Sequence, residues 1–123
     1  MNVMISARLR TLLNDTFAKT PKKTGIDAVS EKKVYSDGTR TVEMYHVAPV
    51  PHSNGLMVAY IPKEKILFQG DFSLPADGQP ANDHVFALAP VLERLKLDFD
   101  RYINVHTSAT PQTKADLWKA VGK

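Results

Sequence analysis

Two imidazoles and one carboxylate, His52, Asp71 and His106, stand at the ends of apolar runs, where a rigid backbone can hold a ligand. His52 opens Pro51-His52-Ser53-Asn54-Gly55, ahead of Leu56-Met57-Val58-Ala59-Tyr60. Asp71 closes Lys65-Ile66-Leu67-Phe68-Gln69-Gly70-Asp71, and His106 closes Tyr102-Ile103-Asn104-Val105-His106. These donor types suit zinc, iron or manganese. Spacing alone leaves a plainer reading open, with Asp71 as a turn or cap residue and His106 as an ordinary strand-end histidine. The sequence has no cysteine, so disulfides and thiolate metal sites are excluded and any metal rests on His and carboxylate.

Other polar residues offer less. His46 ends an alternating strand and reads as a strand-surface histidine; His84 follows Asp83 at a helix start and reads as structural. Ser53 and Ser108 have no nucleophile-elbow context, which argues against serine hydrolysis. Glu43 and Glu64 read as solvent-facing strand and turn charges.

The elements that must position the trio follow from periodicity and punctuation. Met4, Ile5, Leu9, Leu12, Leu13 and Phe17 recur at helical spacing and predict an amphipathic helix over 3–17, within an N-terminal segment 1–20. Thr20-Pro21-Lys22-Lys23-Thr24-Gly25 breaks the chain. Short strands are expected at 26–29 and 33–35, then a hairpin turn at Ser36-Asp37-Gly38, because Asp-Gly supplies the positive φ that such turns need. Residues 41–47 alternate and form a half-buried strand that Pro49 and Pro51 end. Strands at 56–61 and 66–69 follow, then a loop over 72–82 of the kind that borders active sites, carrying Pro75, Gly78 and Pro80. Val85, Leu88, Leu92 and Leu95 mark a helix over 83–96 despite Pro90, which removes a hydrogen bond. A strand at 102–105 precedes a closing helix that Thr110 and Pro111 are expected to start.

At 123 residues the chain suits one domain over 1–123 with a real core, and its 43% hydrophobic and 24% charged content is ordinary for a globular protein. Its apolar runs are too short to span a membrane, and Arg8 and Arg10 interrupt the first thirteen residues as no secretory leader would. A soluble, cytoplasmic protein is expected. The net charge of +3 is uneven: residues 1–40 hold eight Lys/Arg against four Asp/Glu, and the remainder eight against nine. Lys19, Lys22, Lys23, Lys32 and Lys33 lack aromatic interleaving or a recognisable motif, so no nucleic-acid partner is expected.

Taken in order, a His52-Ser53-Asn54-Gly55 turn before a strand, a strand running into Gly70-Asp71, a helix, and a strand running into Val105-His106 resemble the C-terminal half of a metallo-β-lactamase-fold hydrolase. The resemblance covers residues 26–123. It implies an α+β fold, half of an αββα sandwich, with a mixed sheet and helices on one face. It also implies roles: His52 completing a first metal's histidine set, Asp71 bridging two metals and His106 closing the second site. Such a pair turns a bridging water into hydroxide and polarises a carbonyl or phosphoryl oxygen. Zinc is the implied cofactor.

Departures from that pattern limit its reach. The family's His-x-His-x-Asp-His cluster is missing, since the histidines are 46, 52, 84 and 106. Three ligands fall short of a two-metal set. Pro51 stands where glycine commonly precedes the motif histidine, and Thr107-Ser108 follow His106 where the family often has glycine. A half-sandwich also exposes the sheet face its other half would cover, and a large apolar patch marks an interface. A homodimer through that face is expected. The alternatives are a hydrolase with a residual metal site and a subunit that completes a separate N-terminal half.

Overall fold

Alternation along 41–47 puts Tyr45 and Val47 on one side of the chain and Val42, Met44 and His46 on the other, and this two-residue period organises the whole sheet. In the computed structural model the described residues are 19–20, 25–51, 53–76, 79–106 and 110–123. The helix expected over 3–17 lies outside them, and so does His52.

Among the described residues six strands form one sheet in sequence order: β1 (Lys32–Ser36), β2 (Thr41–Val47), β3 (Leu56–Ile61), β4 (Ile66–Gln69), β5 (Arg101–Asn104) and β6 (Gln112–Thr113). Strands β1 to β4 form an antiparallel meander. Helix α1 (Asp83–Leu95) then carries the chain back so that β5 pairs parallel to β4, and β6 pairs antiparallel to β5. Helix α2 (Lys114–Ala120) closes the chain. The fold is α+β with a mixed sheet, as expected.

Register assigns the two faces. Tyr45, Val58, Tyr60, Leu67 and Tyr102 share one, and all are buried with Val85, Leu88 and Leu92 of α1 and Leu117 of α2. Both helices therefore cover the same face. The other carries Tyr35, Val42, Met44, Met57, Ala59, Ile61, Ile66, Phe68 and Ile103, and Met57 and Phe68 remain 43% and 42% exposed. It is largely apolar, shares Lys33, His46 and Arg101, and is covered by neither α1 nor α2.

Local chemistry fixes the element ends. Gly38 adopts φ +87°, and Asp37 accepts from the amides of Thr39 at 2.8 Å and Arg40 at 2.7 Å, tying the β1–β2 turn. Asn82 caps α1 by accepting from the Val85 amide at 3.0 Å. The helix continues through Pro90, which is exposed, so water can reach the carbonyl that the proline leaves without a donor.

Three local expectations need correcting. Residues 26–29 form no strand; Asp27 instead binds the Tyr35 hydroxyl at 3.2 Å and the Lys33 ammonium at 3.0 Å. The last helix starts at Thr113, not at Thr110-Pro111. Gln112 and Thr113 first pair with β5, and Thr113 and Asp116 then close a capping box. Glu43 is no free surface charge: it accepts from the Tyr45 hydroxyl at 2.6 Å and pairs with Lys32 at 3.0 Å. Burial would raise the Glu43 carboxyl, but those two donors hold it below its ordinary value.

Candidate functional site

Because β4 and β5 are parallel neighbours, their C-terminal ends lie side by side, and the residues that follow them meet. His106 Nε2 stands 3.2 Å from Asp71 Oδ1, with the two side chains 63% and 39% exposed. The structure thus brings together two members of the trio read from the sequence. The third, His52, lies outside the described residues.

Two buried carboxamides hold this pair in place. Gln69 ends β4 and is almost fully buried; its Oε1 accepts from the Phe72 amide at 2.8 Å and its Nε2 donates to the Phe72 carbonyl at 3.1 Å. The buried Tyr102 hydroxyl donates to the same carbonyl at 2.5 Å, and burial pushes that hydroxyl well above its ordinary pKa. Clamped at both of its backbone groups, Phe72 leaves Gly70-Asp71 as a short excursion at the sheet rim. Asn104 ends β5 in register with Gln69. Its Oδ1 accepts from the His106 amide at 2.6 Å, and its Nδ2 donates to Ser73 Oγ at 3.0 Å. Each functional candidate thus sits two residues beyond a buried amide that orients it. Sequence reasoning passed over both amides; the signal was a polar Gln or Asn closing an otherwise apolar strand, where an unpaired amide would be costly.

His46 is committed elsewhere. Its Nδ1 lies 3.1 Å from the Ser30 carbonyl and its Nε2 2.6 Å from the Asn54 carbonyl, so both ring nitrogens serve the backbone. It joins the segment before β1 to the turn before β3 and is not poised as a metal ligand. The loop over 72–82 reaches the rim through Ser73, which accepts from Asn104 Nδ2, and also feeds the core. Phe72, Leu74 and Ala81 enter the core, and residues 74–76 and 79 line a cavity of about 230 Å³ against Gln112, Asp116 and Lys119, on the helix-covered side of the sheet.

Donor type at the rim fits a zinc-class ion, but donor number does not. A zinc site takes three or four protein ligands. Asp71 and His106 are two, and among the described residues no group of three His, Cys, Asp or Glu side chains is placed to hold a metal.

Comparison with known proteins agrees with the fold. No family model matches the sequence, and no curated protein matches it significantly. Among solved structures, a metallo-β-lactamase from Pontibacter korlensis superposes with a TM-score of 0.58 at 17% identity, over 85% of this chain and 51% of that one. The DIM-1 metallo-β-lactamase exposed to ceftazidime gives 0.51 at 23% identity, over 74% and 42%. The flavodiiron protein from Giardia intestinalis gives 0.51 at 18% identity, over 72% and 27%. The chain has the metallo-β-lactamase fold over the part it shares with them, and it spans about half the length of the Pontibacter protein or less of the others. Among the described residues no helix is long and apolar enough to cross a membrane.

Proposed function

We propose that this chain is one layer of a metallo-β-lactamase-like sandwich that assembles as a homodimer through its open sheet face. On this reading it carries a partial ligand set, His52, Asp71 and His106, in place of a complete two-metal hydrolase site. The observation that carries the reading is the open face itself. Register lines it with apolar side chains on five neighbouring strands, with Met57 and Phe68 standing well exposed near its middle. A patch of this kind on a soluble chain marks an interface. Strands are spaced about 4.8 Å apart, and two such six-stranded faces offer on the order of 1,000 Å² together, near the threshold for a specific dimer.

Sedimentation equilibrium of the 123-residue chain tests this. A dimer at micromolar concentration is expected, with Phe68→Lys shifting it to a folded monomer. A wild-type monomer with unchanged circular dichroism overturns the dimer. The match takes in only 51% of the Pontibacter protein, which favours a second reading, a separate chain supplying the other half with its histidine cluster. Under that reading the isolated chain is monomeric and mixed dimers form only with that partner. Zinc-dependent hydrolysis by the chain alone, lost in Asp71→Ala, would establish a residual hydrolase instead.

A further inference from the structure

His46 turns both ring nitrogens toward backbone carbonyls, with Nδ1 3.1 Å from the Ser30 oxygen and Nε2 2.6 Å from the Asn54 oxygen. A carbonyl oxygen only accepts, so each contact is a hydrogen bond only when the ring nitrogen carries a proton. The neutral ring has one N–H, and its other nitrogen then aims a lone pair at an oxygen. The imidazolium has two and satisfies both carbonyls. At 2.6 Å the Nε2 contact has the shortness of a charge-assisted bond. The two oxygens belong to separate parts of the chain: Ser30 precedes β1 and Asn54 precedes β3. The His46 amide also donates to the Glu31 carbonyl at 2.9 Å, a bond indifferent to the charge on the ring.

We propose that His46 is a pH-sensitive clamp: protonation gives its ring two donors and ties the segment before β1 to the turn before β3, and loss of that proton frees one of the two. The clamp is independent of the dimer reading and needs neither a metal nor a second copy. Its charged neighbours are few. Glu31, from the segment before β1, and Arg94, in the last turn of α1, line the same cavity as the ring and act on its charge in opposite senses. Lys33 shares the sheet face of His46 but pairs with Asp27 at 3.0 Å, which offsets it. Across β3 the facing residue is Met57, which carries no charge. The two carbonyls therefore decide what the proton does.

The test follows the whole chain across the histidine range, about pH 5 to 8, with sedimentation confirming one oligomeric state throughout. Imidazole nitrogen shifts of the labelled chain report which ring nitrogens hold a proton. Hydrogen exchange, normalised to intrinsic rates, reports how firmly residues 28–31 and 53–55 are held. Protection of at least one of these segments should rise about threefold or more as the ring is protonated, the worth of one hydrogen bond. It should stay flat in His46→Gln, whereas Glu31→Gln and Arg94→Gln should keep the rise. In the wild-type chain alone, a protonated ring that leaves the exchange of both segments unchanged overturns the clamp. A rise that persists in His46→Gln, or that disappears in Glu31→Gln, overturns it as well.

Discussion

Gln69 and Asn104 sit side by side in the parallel β4–β5 register, and each uses a buried carboxamide to fix the backbone just beyond its strand. Replacing Gln69 by Leu keeps the volume roughly but leaves the buried Phe72 amide without its acceptor. An unsatisfied buried group costs about 1–3 kcal/mol. Urea denaturation of Gln69→Leu should show a loss in that range, and the His106 ring resonances should shift because the turn holding Asp71 is released. A loss below a few tenths of a kcal/mol would mean that Phe72 is held by other contacts.

Base should unfold this protein through its tyrosines. Burial raises the hydroxyls of Tyr45, Tyr60 and Tyr102 above the ordinary 10.0, with the Glu43 charge adding at Tyr45 and the Asp98 charge at Tyr60. Between the unfolded and folded values the native state holds more protons, so stability is full below pH 10 and falls as pH rises beyond it. Tyrosinate absorbance should rise together with loss of ellipticity. Tyr102→Phe should lose about 1 kcal/mol at neutral pH and show a shallower alkaline slope.

Acid should act on the closing helix. Hydrogen bonds from the Thr113 amide and hydroxyl hold the Asp116 carboxyl below its ordinary 3.8. Its contribution is present above that value and is lost as pH falls through the lower folded one. Asp27 and Asp37 titrate in the same direction, so the informative quantity is the difference between wild type and Asp116→Asn. That difference should be constant above pH 5 and shrink below pH 4. A difference that persists unchanged at pH 2 would remove Asp116 from the acid transition.

Lys96 ends α1 at φ +51°, a left-handed position where glycine is at ease and lysine is not. Its amide donates to the Glu93 and Leu92 carbonyls, and a glycine can keep both bonds. Lys96→Gly should therefore raise stability by about 0.5–1 kcal/mol, read as a higher urea midpoint at unchanged slope. Lys65 has φ +52° but pairs with Asp98 at 3.0 Å, so the same change there should gain less.

Elements with strong periodicity and clear stops were legible in the sequence. The strands at 41–47, 56–61 and 66–69 and the helix at 83–96 match the structure to within a residue. Asp37-Gly38 and the prolines after 47 punctuate them unambiguously. Residues 26–29 differ because Ile26, Ala28 and Val29 look strand-like, whereas Asp27 takes part in polar contacts across β1 that propensity does not register. At the C-terminus two threonines three positions apart both suit a cap, and only the pairing of β6 with β5 decides for Thr113. The meeting of Asp71 and His106 was foreseeable as strand ends of one motif. The amides beneath them were not, because their value depends on which neighbours the fold supplies.

The short reach between Asp71 and His106 makes the pair a gauge of strand alignment. Side chains alternate along β5, so a slip of one residue against β4 would send Tyr102 and Asn104 to the open face and put Ile103 into the core. His106 would move by roughly 3.3 Å along the strand, a residue's rise, and its contact with Asp71 would be lost. A nuclear magnetic resonance signal from one exposed imidazole thus reports, from the surface, whether the parallel joint between β4 and β5 has closed in its native alignment.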